Sequence, residues 1–516
     1  MSKHYDVVVL GAGIGALSIA ALLARRSWRV LVLGQGFRPA HYTFDGLSLA
    51  RRPFTFLAGG TPVWRRILVE LAQSQMFRRR ARSPDPMLQI FEPRQRTSIP
   101  TDEALLAREI DREFPEVRRV VDELNAEVAR ANAAADLALD DDVVWSPGTF
   151  WERRETARAA AGLPYRRERE RDLLAEFPRG HAFRDLVEVP ASFASDLGTR
   201  LPPFALARLH RAWTHRLLEL ERGEDDLVDF LVERVRAHGG EALLSGQASQ
   251  IVVRSGRVTG IRFDGDDEAT GVQFVVTDLT SSALLDLASE YRPSRRALDA
   301  RPRVEVESQR FVTSLVVRDE GLPAPLAHEA FLLPGTHGDQ PLVHVQKSPI
   351  GSAMPGLTLL VAEARVLPSH AFDSRERSRV RAAIVASIER YLPYIERHYV
   401  LIDSPHDGLP LWDYRSGARA LVDRAALRSG GGSVDAEAMR PLFRVDDAAG
   451  ASLDGLGGEP MRFPLAGTFG VGQSILPQLG QEGELLAAWG GARVITRTDR
   501  RKEKMRREMW SKVELG

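Results

Sequence analysis

Cysteine is absent from the 516 residues. That excludes disulfides, thiolate metal sites and a cysteine nucleophile, and it removes cysteine as a reporter of the redox compartment. Net charge is absent as well: 70 acidic residues balance 70 basic ones. Bulk charge therefore points neither to nucleic acid nor to an acidic partner. No apolar run reaches the length of a membrane span. The opening MSKH passes directly into a strand pattern, which predicts no signal peptide and a cytoplasmic location. Lysine is scarce, found only at Lys3, Lys347, Lys502, Lys504 and Lys512. The histidines show no paired ligand spacing. His210 and His215, five apart, fall on different faces of a helix, so no metal site is expected. Spacing assigns neither an acid–base pair nor a Ser-His-Asp set, and the catalytic residues stay open.

What is present reads as a soluble globular chain, 44% apolar and 27% charged, long enough for two or more domains. The stretch YDVVVLGAGIGALSIAALLARRSWRVLVLG (5–34) has the order strand, glycine turn, helix, strand. Val7 to Leu10 form an apolar run suited to a strand buried on both faces. In Gly11-Ala12-Gly13-Ile14-Gly15-Ala16, Gly11 permits the tight turn and Gly13 lets a pyrophosphate approach the backbone. Ala16 is small enough for helix to pack on strand. The helix from about Ile14 to Arg26 would aim its free N–H groups at the phosphates. A dinucleotide site of this kind normally ends its second strand on an acidic residue that binds the ribose, and here Gly34 stands there. Three readings stay open: NADP binding with Arg38 facing a 2′-phosphate, FAD binding with one contact missing, or a site without its ligand.

Further along, 62 to about 221 is helix-rich and Arg-rich, with helical periodicity either side of Pro115 and a helix over 203–221. EDDLVDFLVERVRAHGG is a helix with Gly239 as its C-cap. Ile251–Arg254 and Val258–Phe263 flank a Ser-Gly hairpin turn, and Val272–Val276 is a buried strand. Strands return from Arg303 to about Val366, then a helix over 374–395 and a Gly-rich loop over 428–439. MRFPLAGTFGVGQSILPQLGQEGELLAAWGG (461–491) predicts a strand ending at Ala466-Gly467, a glycine loop, and a helix starting near Gln478. In the tail (498–516), Met505, Met509, Trp510 and Val513 share a helical face amid Arg and Lys. Such a face suits a membrane surface or a partner protein, beside the plainer reading of a solvated terminal helix.

Three separated segments, the glycine turn, HGGEALLSGQASQIVVRSGRVTGI and LAGTFGVGQSILPQLGQEGELLAA, together resemble the FAD-dependent oxidoreductases related to phytoene desaturase, in the wider group that includes amine oxidases. SPIGSAMPGLTLLV resembles that family's strand connection. The resemblance implies an α/β fold: a discontinuous Rossmann-like FAD-binding domain (1–61, 222–292, 456–496), a mixed-sheet, helix-rich substrate domain (62–221, 293–455) and a basic tail (497–516). It implies FAD held by Gly11, Ala12, Gly13, Ile14, Gly15 and Ala16 at the turn, with Gly34 and Gln35 after the second strand. The Ala248 backbone would meet the adenine. Gly467-Thr468 falls on a Gly-Asp pair that normally holds the ribityl chain or phosphates, and Leu476, Pro477 and Gln478 would lie against the isoalloxazine. Two acidic contacts are thus missing, each weakening binding by roughly 0.5–1.5 kcal/mol. The implied reaction is desaturation, saturation or isomerisation of an apolar, polyene or isoprenoid substrate. The strand RFVTSLVVRD carries no lysine, which argues against amine oxidation. His344 and Lys347 read as structural. The superfamily also holds non-enzymatic escort proteins, so a flavin-free binding protein and an NADP-dependent reductase remain alternatives. Oligomeric state stays open.

Overall fold

The computed structural model describes residues 4–513 apart from 167, 169, 267, 300, 336–339, 350–353, 369–372, 425–436 and 447–455. Most of the expected Gly-rich loop at 428–439, and residues 350–353 of the connection SPIGSAMPG, lie outside the described residues.

The apolar run at the start forms β1 (His4–Leu10), followed by α1 (Ile14–Arg25) and β2 (Val30–Leu33). β1 lies between two parallel neighbours, β2 and the strand Thr270–Thr277. Glu241–Leu243 extends the sheet beyond β2, and the hairpin Ala248–Arg254/Arg257–Phe263 extends the other edge. Thr468–Gly470 joins Thr270–Thr277 in parallel, making seven strands. α1 is buried along nearly its whole surface, from Gly15 to Ala24, because it is covered on several sides. The sheet lies beneath it, and the helices Glu224–Ala237 and Gln481–Thr496 pack on it. One continuous apolar core therefore unites residues from both ends of the chain, Val7 and Leu22 with Leu485 and Ile495.

The second sheet has ten strands, built around the long strand Arg303–Arg318. Leu357–Val366 and Tyr399–Asp403 flank one half of it, and Arg440–Asp446 pairs with the other. Beyond Leu357–Val366 come Val343–Pro349, Glu329–Leu332 and Leu88–Phe91. The helices Glu103–Glu113, Arg118–Leu139, Ala182–Ala194 and Pro203–His215 cover this side, with Phe183, Trp213 and Phe331 in their shared core.

Several boundaries differ from the sequence reading, among them the helix expected over 374–395, which ends at Tyr391. The helix expected over 203–221 ends at His215, and Glu219–Leu220 instead forms a short strand with Ala81–Arg82. The C-terminal strand begins at Thr468, where it was expected to have ended, because its register is set by pairing with Val275–Thr277. The last large helix starts at Gln481, after a short 3-10 turn at Pro477–Leu479.

The tail forms the helix Arg500–Val513 and is docked on the chain itself. Trp510 meets Trp489 edge-on at 5.5 Å and its indole N–H donates to Glu70 at 3.3 Å. Lys502 lies 3.6 Å over the Trp28 ring, and Arg506 pairs with Asp142 at 3.1 Å. The indole on the helical face that suits a membrane surface or a partner packs here against an internal tryptophan. No described helix is long and apolar enough to cross a membrane.

Candidate functional site

A crevice of about 390 Å³ runs from the glycine turn to the helix-rich half, lined at one end by Gly11, Ala12 and Gly13 and at the other by Phe193, Trp213 and His344. That volume lies in the ordinary range for small-molecule sites. Gly11 has φ +110°, and its N–H donates to Leu33 at 2.8 Å, tying the turn to β2. A side chain at Gly11 would fall on the carboxylate of Asp278, the residue that follows Thr270–Thr277. The Gly13 N–H donates to Asp278 Oδ2 at 2.8 Å. Burial raises the Asp278 carboxyl to about 6 against the lowering effect of its hydrogen bonds to backbone N–H groups. Glu484 stands behind it, its Oε2 3.6 Å from where a Gly13 side chain would begin. Burial and the charge of Asp196 hold the Glu484 carboxyl well above the usual carboxylate range, with Arg440 opposing. Ile14, Gly15 and Ala16 do not line the crevice; Gly15 packs against the Val471 carbonyl and Ala16 is fully buried.

Gly34 and Gln35 also line the crevice. Gly34 donates to Leu243 at 3.1 Å, and a Cβ there would sit 2.7 Å from the Leu244 carbonyl carbon and on its oxygen. The missing acidic residue is therefore a packing consequence: β2 and the turn after Glu241–Leu243 leave no room for a side chain. The Gln35 carboxamide accepts from the Ala248 N–H at 2.8 Å and donates to the Ala248 carbonyl at 3.1 Å. Arg38 pairs with Glu437 at 3.0 Å and does not line the crevice.

The C-terminal segment is close to the turn, but its crevice-facing residues are not the expected ones. Gly467 packs on Val258, and the Thr468 hydroxyl donates to Leu465 at 2.7 Å. The strand runs from Thr468 to Gly470, and Gln473, three residues beyond its end, lines the crevice. With its oxygen towards Arg440, Gln473 accepts from that guanidinium at 2.7 and 2.9 Å. Leu476, Pro477 and Gln478 are buried behind the wall. The Pro477 carbonyl accepts from Asp196 and Ser195, and Gln478 holds both backbone groups of Gly457. Leu479, Gln481 and Glu482 face the crevice instead. Gln481 clamps the opposite wall, accepting from the Leu57 N–H at 2.9 Å and donating to the Thr55 carbonyl at 2.8 Å. The Glycine-rich spelling FGVGQ was the available signal for Gln473; the strand register hid it.

The other end is an aromatic and aliphatic wall of Leu57, Phe193, Leu209, Ala212 and Trp213. The Trp213 indole N–H is buried without a hydrogen-bond partner. His344 lines this end rather than sitting only in the core. It bonds Glu329 at 2.7 Å through Nε2 and Glu363 at 2.9 Å through Nδ1. Burial lowers the imidazole, but its bonds to the two glutamates and their charges outweigh that and raise it to about 9. Lys347, on the other face of the strand, donates to the Leu326 carbonyl at 2.8 Å.

A family model described as an NAD(P)-binding Rossmann-like domain matches residues 9–71. No curated protein matches the sequence. Among solved structures, an oxidoreductase from Methanosarcina mazei aligns with 94% of this chain and 99% of its own, at 16% identity and a TM-score of 0.57. A triple variant of putrescine oxidase, from a redesign of cofactor binding, aligns with 97% of this chain and 100% of its own, at 15% identity and a TM-score of 0.58. Cyclohexylamine oxidase from Brevibacterium oxydans IH-35A gives 98% and 100%, 14% identity and 0.54. At such identities the likeness is one of fold, and the chain shares the fold of this oxidoreductase and these oxidases.

Proposed function

We propose that the protein is an FAD-dependent oxidoreductase acting on an uncharged, largely apolar substrate, of the polyene or isoprenoid type. The observation that carries this reading is the crevice itself, continuous from a phosphate-type glycine turn to an aromatic wall. Two sets of backbone groups support an ADP half there. The Gly13 N–H already binds a carboxylate oxygen, and Gln35, which lines the crevice, covers the donor and acceptor of the buried Ala248 backbone behind it. FAD, when bound, supplies the hydride chemistry.

The chain's own residues do the rest. Phe193, Leu209 and Trp213 keep water from the far end and hold an apolar group there. The arginines that line the crevice, Arg51, Arg52, Arg208, Arg216, Arg310 and Arg440, each already hold a carboxylate, so none of these guanidiniums is spare for an anionic substrate. His344, held protonated between two carboxylates, positions Glu329 and Glu363 and is not a free base. A lysine is absent from Arg303–Arg318, in keeping with a reaction other than amine oxidation. A second reading, a flavin-free binding protein of the same fold, draws on one observation: Asp278 and Gln35 stand within the ADP half. An absorbance spectrum after incubation with FAD and desalting separates the two. A near-stoichiometric flavin band, bleached anaerobically by an isoprenoid donor, supports the oxidoreductase. A protein that remains colourless sinks it.

A further inference from the structure

The dinucleotide half of the crevice is engaged by the chain's own side chains at two points. At the turn, the Gly13 N–H faces the place a phosphate takes at a helix N-terminus, and Asp278 Oδ2 accepts from it at 2.8 Å. Beyond β2, where the ribose end of a dinucleotide lies, Gln35 takes both backbone groups of Ala248, at 2.8 and 3.1 Å. A carboxamide offers one acceptor and one donor side by side. The N6–N7 edge of adenine offers the same pair. Gln35 itself stands in the left-handed region, with φ +48°, a conformation uncommon for a residue with a side chain.

We infer that the free protein occupies its own ADP site, Asp278 standing for the diphosphate and Gln35 for the adenine edge, so that loading an adenosine diphosphate group displaces both side chains. This rests on the flavoprotein reading and deepens it to the way the cofactor enters. Proton linkage follows from the groups around Asp278. Glu484 faces it from the helix Gln481–Thr496. The charges of Asp196 and Glu224 reach the same cluster, and Arg440 is the opposing cation. Asp278 itself titrates at about 6. Ionised, it holds the Gly13 N–H and repels a diphosphate; protonated, it does neither well. Affinity for a diphosphate ligand therefore rises as pH falls from 8 to 5.5.

The test is calorimetric titration of the full chain with FAD, ADP and FMN at both pH values, for the wild type, Asp278→Asn and Gln35→Ala, each checked for an unchanged melting curve. FMN carries the flavin and a phosphate without the adenine. The wild type is expected to bind FAD at least tenfold more tightly at pH 5.5 than at pH 8. Asp278→Asn binds as tightly at pH 8 as the wild type does at pH 5.5. Gln35→Ala gains affinity for FAD and ADP but not for FMN. Tight, pH-independent FAD binding that neither variant improves overturns the inference and leaves the flavoprotein standing. ADP binding with this pattern but no binding of FAD or FMN keeps the inference and removes the flavoprotein. No binding of any probe removes both.

Discussion

Putting back the acidic residue that the second strand lacks is expected to damage the protein, not to repair its cofactor site. In Gly34→Glu the Cβ must occupy the space of the Leu244 carbonyl, with its carbon 2.7 Å away and its Cα 3.0 Å away. Non-bonded carbons need roughly 3.5 Å, so the backbone after Glu241–Leu243 has to retreat by about 1 Å. Two hydrogen bonds cross that gap, Gly34 to Leu243 at 3.1 Å and Gln35 to Gly246 at 3.0 Å. Overpacking typically costs about 1–3 kcal/mol, and each loosened hydrogen bond adds about 0.5–1.5 kcal/mol. A loss of about 3 kcal/mol or more is therefore expected. Gly34→Ala should show most of it, because the collision is with Cβ and not with the carboxylate. Urea unfolding of the wild type and both variants measures the loss, and FAD titration at pH 7 measures the site. Both variants should lose stability, and Gly34→Glu should bind FAD no better than the wild type. A Gly34→Glu protein as stable as the wild type, or one that binds FAD more tightly, would refute the packing explanation of the missing carboxylate.

Other outcomes follow from the buried charges. Arg208 and Glu482 form a two-bond ion pair at 2.7 and 2.6 Å in the crevice wall, so Arg208→Met should cost about 3–5 kcal/mol by stranding a buried carboxylate. The double variant Arg208→Met/Glu482→Leu should cost less than either single one in a urea double-mutant cycle; additive losses would contradict this. His344 has a folded value near 9, above its unfolded value. Its contribution is thus complete below about pH 6.5 and is lost as pH rises through 9. His344 alone should lower urea stability by roughly 2–3 kcal/mol between pH 6.5 and 9.5. His344→Gln should flatten the part of that slope not due to His328, which is also raised to about 9. Trp510→Ala should free the tail helix, seen as fast tryptic cleavage among residues 500–507 while the rest stays intact; equal cleavage of the wild type would show that the indole contact does not hold it.

The fold was legible where a local pattern determines the answer. The run Val7–Leu10, the three glycines and the Ala- and Leu-rich helix leave a buried parallel strand and a tightly packed helix as the only arrangement that satisfies them. The position of Gln473 was not legible, because a parallel strand's register is fixed by a partner nearly two hundred residues away. LAGTFGVGQ contains three glycines, and only pairing with Val275–Thr277 shows that the strand is Thr468–Gly470 and that Gln473 follows it. Asp278 was hidden for the same kind of reason. It reads as an ordinary residue after an apolar strand, and its meaning comes from a backbone N–H 265 positions earlier. Local spelling gives elements; contacts between distant elements give the site.

Those distant contacts reverse the charge logic that the opening motif implies. A dinucleotide presents hydroxyls at its riboses and negative charge at its phosphates. A complementary protein would place acceptors at the first and donors at the second. Here the ribose end has Gly34 with no room for a carboxylate, and Gln473 stands at the end of the C-terminal strand. The phosphate end carries two carboxyls, Asp278 and Glu484, both raised by burial. Two carboxyls beside one anion site cannot all stay ionised when a diphosphate arrives, so binding must take up protons. The lost ribose contacts lower affinity at every pH, whereas the added carboxyls lower it only above about 6, where Asp278 is ionised. The two departures from the motif are therefore separable by a single plot of FAD affinity against pH: a vertical offset measures the first, and the slope measures the second.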